Sequence, residues 1–170
     1  VLLWGERGIM IYNDAYSVFA GSRHPQLLGS EVREGWPEVA DFNDNVMKVG
    51  LAGGTLSYKD QELVLYRNGR PERAWMNLDY SPVFDDQAQP AGVIALVVET
   101  TERVLAEREL QGQQARLQQM FEQAPGLMAM LRGPEHVFEM ANPAYLRVVG
   151  ERDVIGKPVR EALPEVERQG

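Results

Sequence analysis

Few residues in this chain are able to do chemistry. Its 170 residues include two histidines, His24 and His136, and no cysteine. Without cysteine there is no disulfide, no thiolate metal site and no thiol nucleophile. His24 precedes Pro25 and His136 stands between strand-like residues. Both read as surface or turn residues, and neither lies on a long amphipathic helix as a phosphoacceptor would. Asp41, Asp44, Asp60, Glu62, Asp85 and Asp86 are scattered without metal-ligand spacing. The run GLAGG at 50–54 lacks the preceding strand and following Lys-Ser or Lys-Thr of a phosphate-binding loop. No Ser-His-Asp set or converging carboxylate pair can be assembled. No catalytic residue, metal or cofactor is therefore expected. The remaining candidates, Tyr16, Trp36, Trp75, Asn77 and Tyr80, could line a small-molecule cavity. Buried aromatics are most often plain core. The indole N–H of Trp36 and of Trp75, which needs a partner when buried, makes these two the better candidates.

Charge narrows the partners. The net charge is −8, and an acidic surface repels phosphate backbones and anionic lipid, so nucleic acid and membrane surfaces are not expected partners. No apolar run approaches the roughly 20 residues needed to span a bilayer, and no signal sequence is visible. The absence of cysteine agrees with a cytoplasmic location. The chain opens on Val1-Leu2-Leu3-Trp4 without an initiator Met and reads as a piece of a longer protein.

A repeat organises the chain. Residues 12–39 and 140–166 align with a gap of one or two residues after Gly21. Asn13, Ala15, Tyr16 and Gly21 match Asn142, Ala144, Tyr145 and Gly150. Gly29 matches Gly156, Val32-Arg33-Glu34 matches Val159-Arg160-Glu161, and Pro37-Glu38-Val39 matches Pro164-Glu165-Val166. Two copies of one unit are present.

The elements that position these residues follow from local pattern. Residues 9–12 predict a short strand, and Asn13 or Asp14 predicts the cap of a short helix that Gly21 stops. Residues 22–40 read as short turns. Residues 41–52 predict a helix capped by Asp41, with Phe42, Val46 and Val49 on one face. Strands at 55–66 and 73–83 flank Asn68-Gly69, which predicts a two-residue hairpin with both φ angles positive. Residues 92–99 predict a third strand, apolar on both faces, whose outer side needs a cover. Residues 101–124 predict a long helix that Thr100 or Thr101 can cap. Its partial heptad seam comprises Leu110, Leu117 and Ala124, with Ala106, Gln113 and Met120 beside them. Residues 127–131 and 136–140 predict a hairpin around Gly133-Pro134.

This order resembles the PAS fold, an α+β architecture of a five-stranded antiparallel sheet with short helices on one face. Glu99-Thr100-Thr101-Glu102-Arg103 is similar to the signature that ends many PAS domains and opens a signalling helix. Leu2-Leu3-Trp4-Gly5, Tyr12-Asn13-Asp14-Ala15-Tyr16, Trp36-Pro37-Glu38-Val39, Arg67-Asn68-Gly69 and Tyr80-Ser81-Pro82-Val83 resemble amino-terminal PAS domains of bacterial histidine kinases. Phe121-Glu122-Gln123-Ala124-Pro125 onward resembles the PAS domains that follow them. The resemblance implies a first PAS domain at 1–100, a linker helix at 101–124 and the amino-terminal part of a second PAS domain at 125–170. It implies a sensory and relay role, without catalysis in this segment, in a two-component-type protein whose output is a histidine kinase or, alternatively, a diguanylate cyclase. Two rival readings are a ligand-free dimerisation and spacer module and an enzymatic cup, which would need a titratable pair converging in the cavity. A homodimer through the linker helix and the outer sheet face is expected, with Leu110, Leu117 and Met120 facing the partner. Haem-binding relatives place a histidine on the longer helix, and 41–52 has none. Flavin-adduct relatives need a cysteine. In the second copy Leu127, Met128, Met130, Val137, Phe138 and Met140 are expected to stand exposed for want of sheet neighbours, covered by another chain.

Overall fold

The computed structural model describes residues 1–150 and 152–165; Val166, the last match of the repeat, lies outside them. Two compact units are present, Val1–Ala106 and Glu107–Gly170.

In the first unit, strands β1 (Leu2–Trp4) and β2 (Ile9–Ile11) form a hairpin, followed by helix α1 (Asp14–Ala20). Asn13 caps α1, its side-chain oxygen accepting from the Tyr16 N–H at 3.2 Å, and Gly21 ends it at φ 58°. Short helical turns include α2 (Val32–Gly35) and lead into α3 (Ala40–Leu51). Asp41 lies in the first turn of α3 and not at its cap, which is Val39. An acidic side chain there still faces the positive end of the helix dipole. The buried stripe of α3 is Asn43, Val46, Met47 and Gly50. A Cβ added at Gly50 would overlap the Val93 side chain, so glycine lets the helix press onto the sheet.

Strands β3 (Leu56–Leu65), β4 (Glu72–Phe84) and β5 (Pro90–Glu99) complete a five-stranded sheet of order β2-β1-β5-β4-β3, antiparallel at every pairing. The β3–β4 connection is wider than the two-residue turn expected. Leu65 pairs with Glu72, Gly69 has φ 75°, and Asn68 keeps a negative φ. The loop is held from outside: the Tyr66 N–H donates to Glu38, and the Ser22 hydroxyl donates to the Arg67 carbonyl at 2.6 Å. Those bonds replace the ladder that a tight turn would have made.

Alternation divides the sheet into two faces. Leu3, Met10, Ala74, Met76, Leu78, Tyr80, Val93 and Ala95 face the helices and form the core. On the opposite face Trp4, Ile11, Ile94, Leu96 and Val98 are exposed, Leu96 at 63%. Register places Leu2 beside both Ile11 and Ile94, so these residues form a continuous apolar surface across β2, β1 and β5.

Helix α4 spans Thr101–Gln123. Val104 is its one buried residue, while Leu110, Leu117 and Met120 are exposed.

In the second unit, β6 (Ala129–Arg132) pairs antiparallel with β7 (Val137–Ala141), and α5 (Pro143–Val148) and α6 (Val159–Ala162) follow. Asn142 caps α5 as Asn13 caps α1, but it bears a heavier load. It is fully buried, accepts from the Tyr145 and Met128 N–H groups at 2.9 and 3.1 Å, and donates to the Gly126 and Ala124 carbonyls at 2.8 and 3.3 Å. Phe138 corrects the expectation of exposure, being 1% exposed against Val154, Ala162 and Leu163. The chain supplies a neighbour for the open side of β7: Phe138 exchanges backbone bonds with Lys157 and Gly156, and the Val159 N–H donates to His136. Val137 and Met140 are half-buried. Leu127, Met128 and Met130 are exposed as expected.

Candidate functional site

The interior of the first unit holds a cavity between the helices and the inner sheet face. Tyr16 and Phe19 come from α1, Trp36 from the turn after α2, and Phe42 and Asn43 from α3. Leu63 of β3, Met76, Leu78 and Tyr80 of β4 and Val97 of β5 make the floor. The cavity's volume is about 50 Å³, room for a few waters.

Two groups of aromatic rings line the cavity. Tyr16 meets Phe19 at 5.1 Å between ring centres, Phe19 meets Trp36 at 5.9 Å, and Phe42 meets Tyr80 at 6.2 Å. The Trp36 indole N–H donates to the Tyr16 hydroxyl at 3.0 Å, the partner that a buried indole requires. Burial raises the pKa of both the Tyr16 and Tyr80 phenols, so both stay neutral hydroxyls at ordinary pH.

Two arginines brace this wall without entering it. Arg23 lies 4.7 Å from the Trp36 ring centre and pairs with Glu38 at 3.1 Å. Arg67 lies 5.1 Å from the Phe19 ring centre and forms two bonds with Glu99, at 2.6 and 3.1 Å. Burial pushes the Glu99 carboxyl up, yet the Arg67 and Thr101 bonds together hold it below the ordinary value. The cavity lining itself carries no charged side chain.

Of the five residues singled out in the sequence, the structure gathers Tyr16, Trp36 and Tyr80 around the cavity. Trp75 and Asn77 lie on the other face of β4. Their parity with Asp79 and against Tyr80 already carried that information. Trp75 is 4% exposed and lies outside the core cluster, as does Val104 of α4. The Trp75 N–H donates to the Thr101 hydroxyl at 3.0 Å, and its carbonyl accepts from the Thr100 N–H at 2.7 Å. Asn77 accepts from the Asp60 N–H at 2.9 Å, holding a bulge in β3 where Asp60 sits at φ 49°. The Asp60 carboxylate accepts from the Thr100 hydroxyl at 2.7 Å and pairs with Arg103. The outer face therefore anchors the first turn of α4 through the Asp60 side chain of β3, the Trp75 backbone of β4 and the junction itself. Both threonine hydroxyls make these bonds to the sheet.

Sequence reasoning missed Asn43. It stands three residues before Val46 and four before Met47, a polar residue on the apolar stripe of its helix, and that position was the available signal. His24 is exposed and touches Tyr12, and His136 is exposed in the β6–β7 turn. Among the described residues no cluster of three or more His, Asp or Glu could hold a metal ion, and no helix is long and apolar enough to cross a membrane.

Comparison with known proteins agrees with this architecture. A family model described as the PAS fold matches residues 6–105, and one described as a PAS domain matches residues 115–169. The bacterioopsin transcriptional activator of Halobacterium salinarum is 25% identical over 125 residues, which are 72% of this chain and 18% of that protein. The chain thus spans less than a fifth of that relative. A sensory box sensor histidine kinase from Vibrio cholerae is 19% identical with a TM-score of 0.43, covering 59% of this chain and 79% of that one. An RNA-binding light-oxygen-voltage receptor is 18% identical with a TM-score of 0.48, covering 69% and 33%. The VqmA dimer of Vibrio cholerae is 19% identical with a TM-score of 0.45, covering 59% and 46%. The chain belongs to the PAS family of sensory domains, and two PAS-type units stand in tandem along it.

Proposed function

We propose that this chain is the sensory and relay region of a bacterial two-component-type protein, in which the inner cavity takes a small molecule and α4 carries the response. The observation that carries this reading is the anchoring of α4. Its first turn is bonded to β3 through Asp60 and to β4 through Trp75, and it continues directly from β5, which lines the cavity with Val97. A ligand that prefers one packing of the cavity shifts the population by its differential affinity for the two states. The strand that feels that packing is the strand that ends in α4. The exposed stripes Ile94-Leu96-Val98 and Leu110-Leu117-Met120 fit a homodimer, because a second copy would cover both. Catalysis belongs to an output elsewhere in the parent protein. The resemblance of the amino-terminal motifs favours a histidine kinase, and the relative's name, a transcriptional activator, makes gene regulation the competing output.

The small size of the cavity favours one other reading, a ligand-free dimerising spacer. Native mass spectrometry of freshly purified chain separates the two. A dimer carrying a non-covalent small molecule supports the sensor, whereas a dimer that stays empty after exposure to a cell extract supports the spacer. Leu117→Asp should yield monomers in sedimentation, and a wild type already monomeric at high micromolar concentration contradicts the dimer. The full-length parent should acquire an acid-labile phosphoryl group from radiolabelled ATP if the output is a histidine kinase.

A further inference from the structure

We propose that the ligand of the inner cavity is a small, neutral, planar molecule with one hydrogen-bond acceptor, and that Asn43 is the residue that selects it. This rests on the reading of the cavity as a sensory site. Asn43 is 7% exposed, lines the cavity from α3, and its side-chain N–H₂ has no hydrogen-bond partner. A buried amide donor left unpaired is costly, and buried polar groups are almost always satisfied. A ligand acceptor, met at that amide, removes the cost.

The rest of the lining sets the remaining chemistry. The aromatic rings of the lining, Tyr16, Phe19, Phe42 and Tyr80, suit a flat apolar body, and a ring-sized one must push them apart, since the space at rest holds only a few waters. No charged side chain lines the space, and the two nearby arginines lie outside the lining with their charges balanced by Glu38 and Glu99, although the buried Nε of Arg67 makes no hydrogen bond. An anion would lose its hydration without gaining a cation, which burial penalises heavily. A hydrocarbon would leave the amide unpaired. A neutral acceptor avoids both penalties.

Benzene and pyridine test this, because they share a shape and differ by one acceptor; benzoate supplies the anion. Each is titrated into the 170-residue chain while backbone and Asn43 side-chain amide resonances are followed by two-dimensional NMR. Pyridine should bind about three- to tenfold more tightly than benzene, the worth of one hydrogen bond, and should shift the Asn43 side-chain N–H₂. Benzoate should bind more weakly than either. In Asn43→Leu the preference for pyridine should vanish while benzene still binds. If Asn43→Leu fails to fold, the comparison of the three probes on the wild type decides alone. Equal binding of benzene and pyridine, or tightest binding of benzoate, overturns the assignment of ligand class and leaves a binding cavity standing. Binding of none of the three at millimolar concentration, with the Asn43 amide exchanging with water only, overturns the sensory cavity itself and the assignment with it.

Discussion

The two faces of the first sheet hold the same kind of residue under different rules. Trp36 on the inner side sits in a wall of rings around a space, with its indole N–H on Tyr16. Trp75 on the outer side sits under the first turn of α4, with its backbone bonded to Thr100 and Thr101. The inner face has room to change, and the outer face is built to hold. A domain that converts occupancy into movement needs both: a part whose packing has alternatives, and a rigid attachment that carries the difference outward.

Breaking the attachment should have the largest effect. Trp75→Ala removes a nearly fully buried indole and should destabilise the first unit by about 3–5 kcal/mol, the usual cost of truncating a buried aromatic. Urea unfolding checks the loss, and amide exchange should show residues 101–106 losing protection before the inner core does. Retained protection there would mean that the backbone bonds of residue 75 and the Asp60 bonds hold the helix without the indole.

The inner face should respond in the opposite sense. Asn43→Leu replaces an unpaired buried amide by a side chain of similar size, so it should be neutral or stabilising by up to about 1 kcal/mol. A loss of about 2 kcal/mol or more would mean that the amide is satisfied within the fold. The comparison of the two variants by urea unfolding measures the asymmetry between the faces.

The smallest effect concerns acid. Hydrogen bonds from Arg103, and then from Thr100, hold the Asp60 carboxyl below its ordinary 3.8. A depressed carboxyl stabilises the folded state above its unfolded pKa and loses that contribution as pH falls through the folded value. The junction should therefore loosen only below about pH 4. The Asp60 bonds are partly exposed, so global unfolding should barely register the change. The NMR titration of the Thr100 and Arg103 amides is the suitable probe, and a transition near neutral pH would contradict the assignment.

Much of the architecture was legible because period and punctuation agreed. The Asn13 cap, the Gly21 stop and the three long strands are local decisions, made by residues within a few positions of one another. What was not legible depended on distant partners. Asn68-Gly69 carries the signal of a tight turn, but Glu38 and Ser22, far away in sequence, hold the loop open. Phe138 reads as exposed from the hairpin alone, whereas residues 154–163 fold back over it. Grouping Trp75 with Tyr80 was an error of parity, visible in the alternation of β4. Asn43 drew no notice because a lone polar residue on an apolar stripe carries no spacing motif. Its significance lies in what it fails to bond.

A change of packing in the cavity should reach α4 through the sheet. The most direct measurement is the set of backbone amide shifts of Asn43→Leu against the wild type, in the same 170-residue chain. Shifts are expected in two places: at the cavity lining, and at Trp75, Thr100, Thr101 and Val104 on the far side of the sheet. Shifts confined to the cavity lining, with the Thr100–Val104 amides unmoved, would contradict it.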